Sequence, residues 1–167
     1  NYKGFELYYQ PIVNTQKKKI LGAEALLRWQ DDVVGRLSPV EFVPLLEESG
    51  LIIPVGRWII RTALEQCLCW QKKDSEFRMN INLSSIQLKK SDVIMDIETI
   101  MQELGIGNHN VLFEVTESGE LEADSMTQKI LFSFRKRNLN LGIDDFGTGY
   151  SNFRYVKEMM FDLVKID

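Results

Sequence analysis

His109 is the only histidine, and Cys67 and Cys69 the only cysteines, among 167 residues. A tetrahedral zinc site draws its ligands from those two residue types, so any metal here has to be held by oxygen. Cys67 and Cys69 stand two apart in a helical pattern and point away from each other, which reads as reduced thiols of a cytoplasmic protein rather than a disulfide. His109 lies among Gly107, Asn108 and Asn110, in a turn before a strand, and reads as a surface residue. No apolar run reaches the roughly 18–20 residues that span a bilayer, and no charged segment leading into a short apolar one opens the chain. The expectation is a domain with no membrane contact of its own, although a longer parent protein can carry an anchor. A basic excess is missing too: the formal charge of −4 argues against a duplex nucleic-acid surface. An anionic ligand must then be held locally.

What is present is the composition of one soluble globular domain, 44% hydrophobic and 26% charged. Residues 5–13 and 19–28 are rich in apolar, aromatic and β-branched side chains, and the short link from Asn14 to Lys18 allows only an antiparallel pair. Ser38-Pro39-Val40-Glu41 is a capping box with proline at the first helical position, opening a helix that Gly50 ends. A second helix is expected from about Val55 to Lys72, with Trp58 and Trp70 as packing residues. From Phe77 onward strands (77–83, 111–117, 139–144, 162–167) alternate with helices (91–104, 124–137, 151–158), the pattern of a parallel sheet wound in one sense. No repeat, linker or low-complexity stretch divides the chain, so residues 1–167 read as one domain. A closed barrel of this kind takes roughly 250 residues. With about six strands and Asp167 ending the last of them, the expectation is a TIM-like (β/α) barrel truncated before its final strands.

Active sites of such sheets gather at the carboxyl ends of the strands. The polar residues placed there are Glu24 and Arg28, Asn80 and Asn82, Glu114 and Glu117, Asp144 and Asp145, and Lys165. Taken singly, each has a plain structural reading: Asn80 and Asn82 share one strand face and by default meet solvent, and Glu114, in an apolar strand, is most simply paired with an arginine. Together, three carboxylates and one amide from four successive strands, without nitrogen or sulfur donors, form a hard-oxygen set suited to magnesium, manganese or calcium. Adjacent acids such as Asp144 and Asp145 can bridge two ions roughly 3.5–4 Å apart, the arrangement that serves in-line phosphoryl displacement. Gly147-Thr148-Gly149 makes a turn whose backbone N–H groups can face an anion.

The segments YYQPIV, GAEALLRW, SPVEFVPLLEESGLI, NINLSSIQL, FEVTES, IDDFGTGYSNF and VKID run in an order and spacing that closely resemble the EAL domains of bacterial cyclic di-GMP phosphodiesterases. The resemblance implies a barrel whose first strand is antiparallel to the rest, in agreement with the hairpin. It implies one or two Mg2+ or Mn2+ ions, the first on Glu24, Asn82, Glu114 and Asp144, the second reached by Asp144 and Asp145. Lys165 would position or activate the attacking water, Glu117 would hold the loop from Phe146 to Tyr150, and Arg28, Leu26 and Gln10 would meet the substrate. The implied reaction is hydrolysis of cyclic di-GMP to linear pGpG. Sensory or cyclase modules fused in the parent protein, and pairing of two domains as a homodimer, belong to the same implication.

The chain departs from the family pattern where Gln30, Asp31 and Asp32 replace a usual His-Pro pair, at Asn152 in place of a serine, and at Met160 in place of a proline. The family's later glutamate and glutamine have no counterpart in these residues. Two other readings stand beside the phosphodiesterase: a catalytically silent EAL domain that senses cyclic di-GMP or grips a protein partner, and an enolase-like barrel with a lysine base.

Overall fold

The computed structural model describes residues 2–33, 35–90, 92–116, 125–147 and 161–166. Strands β1 (Phe5–Asn14) and β2 (Lys19–Asp31) form the expected hairpin, with Tyr8 opposite Leu26 and Gln10 opposite Glu24. A register shift between Ile12 and Val13 marks a bulge near the turn. The chain then folds back through a three-residue strand, β3 (Gly35–Leu37), antiparallel to the end of β2. Three residues, one of them a glycine, carry no alternation to read, which is why the sequence leaves β3 out.

Four parallel strands follow: β4 (Arg78–Asn82), β5 (Val111–Thr116), β6 (Asn140–Phe146) and β7 (Leu163–Ile166). Among the described residues the sheet has seven strands, in the order β1-β2-β4-β5-β6-β7 with β3 beside β2. The fold is the expected α/β class, a mostly parallel sheet with an antiparallel first strand. Helix α1 (Pro39–Glu48) opens as predicted, the Ser38 N–H donating to Glu41 Oε2 at 3.0 Å. Helix α2 (Ile52–Gln71) starts a turn earlier than expected.

The helix expected over 91–104 is α4 (Val93–Leu104), and a short helix that the sequence did not announce, α3 (Ser85–Lys90), precedes it. Packing explains the extra piece: Gln87 of α3 is buried against α2 at Gly56, where a Cβ would come within 2.0 Å of the Gln87 amide. Helix α5 (Ser125–Lys136) precedes β6. The expected helix over 151–158, the positions Asn152 and Met160, and Asp167 lie outside the described residues. Among those described, no helix is long and apolar enough to cross a membrane.

Alternation along the strands separates two faces. Ala25, Ile81, Phe113 and Leu141 are neighbours in register and form one apolar row. They join the helices in a core that includes Phe42, Ile60, Leu64, Ile97 and Phe134. Trp70, against Tyr9 and Phe77 at 5.0 Å each, and Trp58, stacked on Tyr2 at 5.5 Å, are the packing residues expected of α2. The opposite face pairs Glu24 with Asn80, Asn82 with Glu114 and Thr116 with Asp144. One-residue register shifts would send these polar groups into the helices, so burial of the apolar row fixes where the polar row stands.

Candidate metal centre

Oxygens of Glu24, Glu114 and Asp144 lie within 4.8 Å of one another, although the residues come from β2, β5 and β6. Lys165 of β7 sits among them, its Nζ donating to Glu24 Oε2 and Glu114 Oε2 at 2.8 Å and to Asp144 Oδ2 at 3.0 Å. The second oxygen of each carboxylate has its own donor. Asn82 Nδ2 holds Glu24 Oε1 at 2.7 Å, Asn80 Nδ2 holds Glu114 Oε1 at 2.7 Å, and the Asp145 backbone N–H holds Asp144 Oδ1 at 3.0 Å. Each acid is thus tethered through one oxygen and turns the other toward a shared centre, the support that orients metal-binding carboxylates.

Burial makes this arrangement demanding. The Glu114 side chain is fully buried, and those of Glu24, Asp144 and Lys165 are 15, 19 and 27% exposed. Burial pushes the Glu114 carboxyl above its ordinary pKa, and the hydrogen bond from Lys165 pulls it only partly back. For Lys165 burial opposes the charge, but the hydrogen bonds it donates to Glu114, Glu24 and Asp144 outweigh it and hold the ammonium well above its ordinary range. Three carboxylates against one ammonium leave a formal excess of two negative charges. The donor set, all oxygen and doubly negative in excess, fits a hard divalent cation such as Mg2+ or Mn2+.

Of the site residues read from the sequence, Glu24, Asn82, Glu114, Asp144 and Lys165 come together. The expected arginine partner of Glu114 is corrected to Lys165: 51 residues separate the two in sequence, and only the pairing of β7 beside β6 shows which cation arrives. Asn80, expected at solvent, is buried, 4% exposed. Its signal was the two-residue spacing from Asn82, which puts both amides on one strand face. Asp145 is next to the cluster but outside the group of oxygens within 4.8 Å, its backbone at φ +54. Gln10 is exposed beside Glu24 in register, and Leu26 is half-buried opposite Tyr8. Arg28 donates to the Leu27 carbonyl at 2.8 Å and lies 5.7 Å from the centre of the Tyr8 ring. Sequence reasoning missed Arg36 of β3, whose Nη2 donates to the Tyr8 hydroxyl at 2.6 Å. Glu117, and the loop it was expected to hold beyond Gly147, lie outside the described residues. His109 is exposed, as expected, and both cysteines are free thiols.

A family model described as EAL domain matches residues 1–167. An uncharacterized protein of Synechocystis, sll1895, is 42% identical over 164 residues, which cover 98% of this chain and 24% of that protein. The cyclic di-GMP phosphodiesterase PA2567 of Pseudomonas aeruginosa is 33% identical over 165 residues, 99% of this chain and 28% of that one. The chain therefore spans about a quarter of the length of these curated relatives. Among solved structures, the PaMucR phosphodiesterase in its c-di-GMP complex superposes with a TM-score of 0.91 at 31% identity, covering 99% of this chain and 67% of that one.

Proposed function

The chain belongs to the EAL domain family, and from that premise we propose that its parent protein is a Mg2+- or Mn2+-dependent phosphodiesterase that hydrolyses cyclic di-GMP to linear pGpG in bacterial second-messenger signalling. The observation that carries the reading is the meeting of Glu24, Glu114 and Asp144 oxygens within 4.8 Å, each acid tethered through its other oxygen. The cyclic di-GMP phosphodiesterase PA2567 and the c-di-GMP complex of PaMucR support the choice of substrate.

Glu24, Glu114, Asp144 and the Asn82 amide would hold one ion, and Asp145, from its place beside Asp144, would extend the set to a second. A divalent ion in such a set supplies charge neutralisation on the phosphoryl oxygens and acidifies a water to the point where it attacks at neutral pH. Lys165, held as an ammonium, serves as a donor that orients the attacking water or a phosphoryl oxygen. It is a poor proton abstractor, which argues against the enolase-like reading. Gln10, Leu26 and Arg28, on the strand face of Glu24, would meet the nucleotide. Glu117 would steady the loop after β6. The domain would work in the cytoplasm, within a longer protein bearing sensory or cyclase modules and able to pair as a homodimer.

The test is turnover of cyclic di-GMP by the full-length protein with Mg2+ or Mn2+, beside a Glu24→Ala control. Linear pGpG formed by the wild type alone supports the proposal. Binding without turnover would instead establish the silent, sensing EAL domain.

A further inference from the structure

The hairpin carries a second charged group on the face of the carboxylates. Glu24, Leu26 and Arg28 alternate onto that face of β2, with Gln10, Tyr8 and Glu6 opposite them on β1. Gln30 continues the series and is paired with Arg36 of β3, so Arg36 is brought to the same side by register. Two guanidinium groups then converge on one phenol: the Arg36 Cζ is 5.3 Å and the Arg28 Cζ 5.7 Å from the centre of the Tyr8 ring. The Tyr8 hydroxyl accepts from Arg36 Nη2, and the Leu27 carbonyl accepts from Arg28 Nη1, which fixes one edge of each guanidinium.

Neither arginine has an ion-pair partner among the described residues, although the chain as a whole is acidic. The negative face of the ring offsets part of the positive charge that the two guanidiniums bring to it. An anion reached by both would offset far more, and the planar guanidinium fork suits a phosphate. Four residues separate Arg28 from Glu24, about 13 Å of extended strand. A cyclic dinucleotide has two phosphodiesters, and while one lies at the carboxylates the other is free for a separate anchor, which Arg28 and Arg36 offer on the same face of the hairpin.

We propose that Arg36 is a substrate-anchoring residue, which with Arg28 and Tyr8 forms an anion clamp for the phosphodiester that is not being cut. This rests on the phosphodiesterase reading above and adds to it a residue from β3 that sets affinity for a cyclic dinucleotide over a simple diester.

The test is equilibrium binding of a hydrolysis-resistant phosphorothioate analogue of cyclic di-GMP to the full-length protein, as wild type, Arg36→Ala and Arg36→Lys. A second titration uses bis(4-nitrophenyl) phosphate, which has a single phosphodiester. The clamp predicts a roughly tenfold weaker dissociation constant for Arg36→Ala toward the dinucleotide, a smaller change toward the simple diester, and partial recovery in Arg36→Lys. Equal binding of the dinucleotide by wild type and Arg36→Ala would overturn the clamp and leave the phosphodiesterase reading standing. An equal loss for both ligands would also overturn it, by giving Arg36 a merely structural role. Failure of the wild type to bind the dinucleotide at all would sink the phosphodiesterase reading, and the clamp with it.

Discussion

Lys165 Nζ lies 2.8 Å from Oε2 of Glu114, a fully buried carboxylate 51 residues earlier in the chain. The contact joins the end strand of the sheet to its middle and places a positive charge where three acids meet. Removing one partner of a buried pair leaves the other charge without compensation, a larger loss than the net worth of the pair. Lys165→Met is therefore expected to destabilise the metal-free protein by about 3 kcal/mol at neutral pH, read by urea denaturation. Added Mn2+ should recover part of that loss, because it supplies positive charge to the same oxygens.

The linkage of Glu114 gives a pH signature. Its carboxyl is raised above its ordinary 4.5 in the folded state, so the stability it contributes is present below that value and is lost as pH rises through the folded pKa. Metal binding needs the ionised form and runs the other way. Mn2+ affinity, measured by isothermal titration, should weaken as pH falls toward the raised Glu114 pKa, starting at higher pH than an unperturbed glutamate would allow. Affinity unchanged down to about pH 4.5 would show that Glu114 takes no part in binding.

Asn80 is expected to matter although it is absent from the proposed ligands. Its amide donates to Glu114 Oε1 at 2.7 Å from a buried position. Asn80→Ala should cost about 1–3 kcal/mol of stability and lift the Glu114 pKa further. Thermal denaturation and the pH dependence of Mn2+ binding read the two effects.

The cysteines should behave differently from each other. Burial pushes the Cys67 thiol up to about 11, while Cys69 is exposed on the same helix. A thiol reagent at neutral pH should modify Cys69 promptly and Cys67 only on unfolding. Rapid modification of both in the native state would contradict the packing of α2.

Much of the architecture was legible because its signals are local. The short link before Lys19 dictated an antiparallel hairpin, and the capping box at Ser38 dictated the start of α1. The elements missed were those whose existence depends on tertiary contact: β3, which exists by pairing with β2, and α3, whose Gln87 needs Gly56 of α2. At the site, residue type and strand position brought forward Glu24, Asn82, Glu114, Asp144 and Lys165. The buried state of Asn80 and the choice of Lys165 over an arginine depended on neighbours in space. Arg36 went unread for the same reason, since an arginine beside a glycine in a short stretch looks like loop until Gln30 pairs with it.

Glu24, Glu114 and Asp144 are expected to share one divalent ion. A crystal of the full-length protein grown with Mn2+, with anomalous diffraction measured, tests it most directly. An anomalous peak within about 2.0–2.4 Å of all three carboxylates, with Lys165 displaced from at least one of them, is the expected result. Peaks only elsewhere, with Lys165 still bound to all three acids, would contradict it.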